Sequence, residues 1–290
     1  MENTKNLSWG VERRLEFVEF LLYWEGRVNR KNITEFFGVS IPQASGDIQH
    51  YQKLAPDNIA YDRSKKYYFA PDSFQPKLIT PNAEQYLAQL LVRKSETAES
   101  LSYYAQNLEY MVLPQLQRKV NESILRTVLS AIRNQQSLEV KYQSFSHPDP
   151  SWRWITPHAL GFGSQRWHCR CYCERHQDFR DFTLSRILEI RQHKAQVIDV
   201  QQDVHWQMHI DIKIGANPEL SVNQQKVIET DYNMTAGQLV VSTKVALVDY
   251  FLHEHQLYES ELQPKQQLVL LNRDEITTMK QRLKQYKKRK

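Results

Sequence analysis

From Val11 to Tyr23 apolar residues fall at Val11, Leu15, Val18 and Leu22, with Phe17 and Leu21 beside them and Glu and Arg on the other face. This is the period of an amphipathic helix, and Gly26 is its predicted stop. Lys31 to Phe37 predicts a short second helix ended by Gly38, a residue free to take the left-handed conformation. Ser40 then stands at the N-cap of a third helix, "IPQASGDIQHYQKL", with Pro42 in its first turn. "NIAYDRSKKYYFAP" has a short apolar run, a polar turn and an aromatic run ended by Pro71, the pattern of a hairpin. Helix, helix, tight turn, helix, hairpin is the order of a winged helix-turn-helix.

Helical spacing returns between Thr80 and Arg133, with Ala83, Leu87, Leu90 and Leu91 at one end and Leu108, Met111, Val112, Leu116, Val120, Ile124 and Val128 further on. This predicts a helical connector whose apolar residues are mostly core, packed on the next domain or on a second copy. Past Ser137 the period falls to two: Leu138, Val140 and Tyr142 alternate with Glu139, Lys141 and Gln143. "WRWITPHALGF", "QRWHCRCYC", "FRDFTL" and "ILEIRQHKAQVIDV" continue the strand pattern, which predicts a small closed or nearly closed five-stranded barrel. From His205 onward, strand, helix, hairpin strand and helix predict an α+β module.

At 100° per residue the third helix turns Ala44, Ile48 and Tyr51 inward and Pro42, Ser45, Gly46, Gln49 and Lys53 outward, flanked by Gln43 and His50. A small polar face suits the major groove, where Ser and Gln can hydrogen-bond base edges. Together with Ser40 at the helix start and Arg63, Lys65 and Lys66 at the hairpin tip for backbone phosphates, these are the candidate DNA-contacting residues. Net charge adds little to this. The chain carries 38 Lys and Arg against 33 Asp and Glu, but the last eleven residues alone hold seven of the basic ones and no acid. That tail is expected to be a solvated helix end, with a phosphate-binding arm as the alternative.

Cys169, Cys171 and Cys173 are the only cysteines, and His168 and His176 lie close to them. Residues two apart on a strand have side chains about 7 Å apart, too far for two thiolates to share one zinc at about 2.3 Å without bending the strand. No second ligand pair follows, so the thiols are expected to pack in a core, with Trp167, on the face opposite Arg166, His168, Arg170 and Tyr172. His205, His209, His253 and His255 are expected to be scattered surface residues.

The run "RWHCRCYCERHQDFRDFTLSRI", preceded by "VKYQSF" and "RWITPHALGF", resembles the WYL domain of bacterial transcriptional regulators, whose Trp-Tyr-Leu triplet here reads Trp167, His168, Cys169. The likeness covers nearly the whole chain and is greatest to the WYL repressors of phage-defence systems, the BREX-associated regulators. It implies a homodimer that binds an inverted repeat in double-stranded DNA and represses a defence operon, with the WYL barrel sensing a nucleotide or nucleic-acid ligand. The implied ligand face comprises Tyr142, Ser144, Arg153, His158, Trp167, His168, Arg170, Arg180 and Arg186. Several guanidiniums with His, Ser and Tyr suit phosphate or another anion.

The expected fold is multidomain α+β: a winged helix-turn-helix over 1–75, a helical connector over 76–134, an SH3- or Sm-like WYL barrel over 135–200, and a C-terminal dimerisation domain of the WCX type over 201–290. No phosphate-binding loop, G-x-S-x-G or H-E-x-x-H is present, so no enzymatic activity, cofactor or metal is expected. The N-terminus lacks a signal-peptide core, and a cytoplasmic protein without membrane partner is expected. A rival reading makes the barrel a platform for binding or processing single-stranded nucleic acid, with Trp152, Trp154 and Trp167 stacking bases.

Overall fold

The computed structural model describes residues 8–93, 108–114, 116, 118–257 and 266–288, in two compact units divided after Gln115. The first unit contains α1 (Trp9–Glu25), β1 (Arg27–Val28), α2 (Arg30–Phe37), α3 (Ile41–Leu54), β2 (Ala60–Asp62), β3 (Tyr67–Phe69) and α4 (Ala83–Arg93). Gly26 and Gly38 end α1 and α2 at φ 68° and 65°, where a side chain would be strained. Asn29 and Asn32 cap α2 reciprocally, and Ser40 Oγ accepts the Gln43 amide at the start of α3. Leu15, Val18 and Leu22 of α1 bury themselves against Ile33, Ala44, Ile48 and Tyr51. Each large apolar side chain so buried contributes about 1.5–3 kcal/mol. The strands form a three-stranded sheet in the order β1-β3-β2.

Two buried carboxylates tie this core. Asp47 of α3 accepts from Arg14 Nε at 2.7 Å and Nη2 at 3.2 Å, fixing the helix against α1. Glu19, fully buried, accepts from the Tyr51 hydroxyl and from the backbone amides of Lys77, Leu78 and Ile79 at 2.6–2.9 Å.

The helical connector expected over 76–134 is corrected. Of its described residues only those of α4 and, in the second unit, α5 (Glu122–Asn134) are helical, and those between Leu108 and Asn121 are not. Pro114 accounts for part of the break: it has no N–H and disfavours the helical region for Leu113. Leu87, Leu91, Leu108, Met111 and Leu116 are exposed rather than core. Residues 94–107 of the expected connector lie outside the described residues, as do Arg289 and Lys290 of the basic tail.

In the second unit α5 covers an antiparallel sheet of β4 (Gln136–Tyr142), β5 (Ser151–Gly163), β6 (Arg166–Cys173), β7 (Asp178–Thr183) and β8 (Ile187–Ala195). The order is β7-β6-β5-β4-β8, and no pairing joins β7 to β8, so of the closed or nearly closed barrel that the sequence predicts, the closed form is corrected. The 3-10 turn Leu184–Arg186 carries the chain from one edge to the other, and Leu184 and Ile187 join the core there. Ile124, Val128 and Ala131 of α5 pack on Leu138, Val140, Ile155 and the three cysteine side chains. Alternation therefore holds for Cys169, Cys171 and Cys173, but Trp167 is half exposed and lies against Phe162 instead of joining the core.

A short α6 (Val204–Gln207) leads to β9 (His209–Ala216), α7 (Val222–Asp231), β10 (Leu239–Lys244), α8 (Val248–Glu254), β11 (Leu268–Leu270) and α9 (Arg273–Lys288). The sheet β10-β9-β11 packs Ile210, Ile212 and Ile214 against Val248, Leu252 and Ile276. Helix α8 closes on the turn between β5 and β6, where a Cβ on Gly163 would stand 2.9 Å from Tyr250 Cβ. The "GFG" of the sequence is thus a point of close packing. No described helix is long and apolar enough to cross a membrane.

Candidate DNA-binding face and anion cleft

On α3, Pro42, Gln43, Gly46, Gln49 and Lys53 are exposed, as is Ser40 before it, while Ser45 and His50 are partly covered. Ser45 donates its hydroxyl to the Ile41 carbonyl at 2.9 Å, so towards a base it is left as an acceptor. Ile41, which the sequence pattern did not single out, is 62% exposed on the first turn of α3 and is suited to a thymine methyl. In the wing, Asp62 Oδ1 accepts from the amides of Ser64 and Lys65 and from the Ser64 hydroxyl, at 2.7–3.0 Å. These bonds, that of Lys65 foremost, hold the Asp62 carboxyl below its ordinary pKa. They also shape the turn that presents Arg63, Lys65 and Lys66 to solvent.

In the second unit Tyr142, Ser144, Arg153, Arg180 and Arg186 line one cleft of about 230 Å³. The structure adds Phe145, Ser146, His147, Arg175, His176 and Asp181 to its walls. Arg153 is only 8% exposed. Its Nη2 donates to Ser151 Oγ at 2.6 Å, its Nε is buried with no hydrogen-bond partner, and its guanidinium lies over the Tyr142 ring at 5.4 Å. Burial lowers the pKa of Arg153. Arg186 stacks on Phe145 at 3.9 Å, its Nη2 likewise buried and unbonded. His176 is lowered by burial and by Arg180, Arg153 and Arg175. Arg153 Nε and Arg186 Nη2 are thus charged donors with hydrogen-bonding capacity left over, the chemistry that an anion can satisfy.

The other sequence-predicted ligand residues lie elsewhere. Arg170, 5% exposed, donates from Nε and Nη2 to Asp203, each at 2.7 Å, and from Nη1 to Asp181 at 3.2 Å. His158 also bonds Asp203, at 2.9 Å. It is the extra residue of a β-bulge, opposite β6 between the pairs Pro157–Cys171 and Ala159–Arg170, which aims it at Asp203. Burial raises the Asp203 pKa, but the bonds from Arg170 and His158 outweigh it and leave it at about 2. His168 is buried against the Tyr250 ring, 4.4 Å between centroids, and burial lowers its pKa. His158, His168 and Arg170 thus join the sheet to the C-terminal module and do not line the cleft, nor does Trp167. Arg191 and Lys194 lie over the rings of Trp152 and Trp154, at 4.1 and 4.3 Å, and occupy one face of each. Among the described residues no group of three or more His, Cys, Asp or Glu could hold a metal ion.

Residues 10–92 match the model of the BrxR transcriptional regulator winged helix-turn-helix domain, residues 123–192 that of the WYL domain, and residues 209–276 that of the BrxR transcriptional regulator C-terminal dimerization domain. A DNA-binding transcriptional repressor CapW of Escherichia coli (strain KTE188) is 38% identical over 272 residues, 92% of this chain and 91% of that protein. The CapW of Pseudomonas aeruginosa is 37% identical over the same shares, and that of Stenotrophomonas maltophilia 34% over 94% and 93%. Among solved structures, the proteasome accessory factor B/C (PafBC) of Arthrobacter aurescens aligns with a TM-score of 0.30 at 14% identity, over 93% of this chain and 46% of that one. With three domain models in order and relatives matched almost end to end, the chain belongs to the BrxR/CapW family of WYL-domain transcriptional regulators.

Proposed function

We propose that this protein is a homodimeric DNA-binding transcriptional repressor that reads an inverted repeat through Gln43, Gln49 and neighbouring residues of α3, with Arg63, Lys65 and Lys66 on the phosphates. The observation that carries this is the exposed, small polar face of α3 beside a basic wing, in a chain whose relatives are named repressors. The match to a dimerization domain over 209–276 supports two-fold binding, with half-sites separated by whole helical turns. The regulated operon is, on this reading, a phage-defence operon. Footprinting on DNA upstream of the protein's own gene tests it. Gln49→Ala is expected to reduce discrimination between operator and random DNA by about 1–3 kcal/mol. Lys65→Ala with Lys66→Ala is expected to weaken both alike, lowering the salt slope by about 1 for each phosphate no longer neutralised. Equal losses on both DNAs for Gln49→Ala would remove α3 from the groove.

The second part of the proposal is that a phosphate-bearing effector, a nucleotide or a nucleic-acid end, occupies the cleft of Arg153, Arg180 and Arg186 and alters operator affinity. The buried, unbonded nitrogens of Arg153 and Arg186 support it. Arg153→Met keeps the side chain's bulk and removes its donors. It is expected to abolish anion binding, measured by calorimetry with pyrophosphate, while leaving operator affinity within about twofold, since the DNA contacts proposed above belong to the other unit. Loss of operator binding by a folded Arg153→Met protein would make the cleft part of the DNA surface.

A further inference from the structure

Asp181 is the one carboxylate among the residues lining the anion cleft, and it faces two ways. Its Oδ1 accepts from Arg170 Nη1 and its Oδ2 from the Tyr250 hydroxyl, both at 3.2 Å. Tyr250 belongs to α8 of the C-terminal module, and its main chain is held on the β5–β6 turn. The Gly163 backbone admits Tyr250 without a Cβ, Ser164 Oγ donates to the Tyr250 carbonyl at 3.4 Å, and the Ser164 amide donates to Glu254 at 2.9 Å. We infer that Asp181 is the positioning residue through which occupancy of the cleft reaches α8. The inference rests on the anion-cleft reading above.

An anion entering the cleft meets four guanidiniums that favour it and one carboxylate that repels it. The cheapest relief is for Asp181 to change its bonds with the only donors behind it that the structure records, Arg170 and Tyr250. Arg170 is already clamped by two bonds to Asp203, so the Tyr250 hydroxyl is the partner free to respond, and with it α8. Linkage makes this reciprocal: whatever shifts α8 changes anion affinity by the same factor.

The test uses the full chain, pyrophosphate as probe, calorimetry for binding and amide hydrogen exchange of Val248–Glu254 for the response. In the wild type pyrophosphate is expected to change that exchange at least about fivefold. Tyr250→Phe, which removes one hydroxyl outside the cleft, is expected to bind pyrophosphate within about twofold of wild type and to lose the α8 response. Asp181→Asn is expected to bind roughly tenfold more tightly, its repulsion gone, also without the response. A merely structural Asp181 would not tighten binding when neutralised. An unchanged α8 response in Tyr250→Phe, or weaker binding by a folded Asp181→Asn protein, overturns the inference while leaving the cleft as an anion site. Absence of pyrophosphate binding to the wild type overturns both.

Discussion

Asp203→Ala is expected to destabilise the second unit by about 3–5 kcal/mol, because it leaves the buried Arg170 guanidinium without its bidentate partner. Asp203 is 1% exposed, so water does not replace the missing acceptor at low cost. His158, on its bulge, loses the same partner. Urea unfolding followed by a probe in the sheet measures the effect, and a loss under about 1 kcal/mol would show that the Asp203–Arg170 pair is dispensable. The acid dependence has a definite sign. The folded carboxyl titrates at about 2 and the unfolded one near 3.8, so the contribution is complete above the unfolded value and is lost as pH falls from there through 2. A shift of this size corresponds to roughly 2 kcal/mol. His168 adds a separate loss that begins higher: its folded pKa lies below 6.5, so acid protonates the unfolded chain first and draws the equilibrium towards it.

Glu19→Ala is expected to cost the first unit a comparable amount, about 3–5 kcal/mol, and to abolish operator binding as a consequence. Three backbone amides and the Tyr51 hydroxyl share this one buried carboxylate, and each donor left unsatisfied costs about 1–3 kcal/mol before relaxation. Glu19→Gln keeps the shape but turns an NH2 group towards donors, so it rescues only partly. Full stability in Glu19→Gln would mean that charge is irrelevant at this site. The measurement is thermal or urea unfolding read by the Trp24 environment, beside the stack of Trp24 on Tyr86.

The first three helices of the winged domain were legible from their punctuation: an apolar period in each, a left-handed glycine after α1 and after α2, and Ser40 with Pro42 at the start of α3. The five WYL strands were legible from period-two alternation. Closure was not, since alternation specifies which face is apolar and is silent on whether the two edge strands meet. The connector misled because Leu108, Met111 and Leu116 keep helical spacing across Pro114, and spacing carries no information about a missing N–H. The candidate ligand set was half legible. Arg153, Arg180 and Arg186 do share a cleft, but Arg175 and His176 sit in the β6–β7 turn, outside the alternation that drew attention to Arg170. Arg170 itself was misjudged because its partner, Asp203, lies 33 residues on, in a short irregular segment without any period. The bulge at His158 is written only in Pro157, a residue that cannot continue a ladder of hydrogen bonds.

Strand β6 places Cys169, Cys171 and Cys173 in the apolar core with no exposed surface at all. Burial pushes the Cys171 thiol well above its ordinary pKa, and its Sγ donates to the Cys169 carbonyl at 3.4 Å. With no surface exposed, the three sulfurs are shielded from alkylating agents and peroxide alike while the sheet is intact. Exposure to a thiol reagent then measures a rate of another kind: how often the sheet opens. The three cysteines are built-in clocks for the breathing of this unit, and at low reagent concentration their labelling tracks its opening free energy without any added probe.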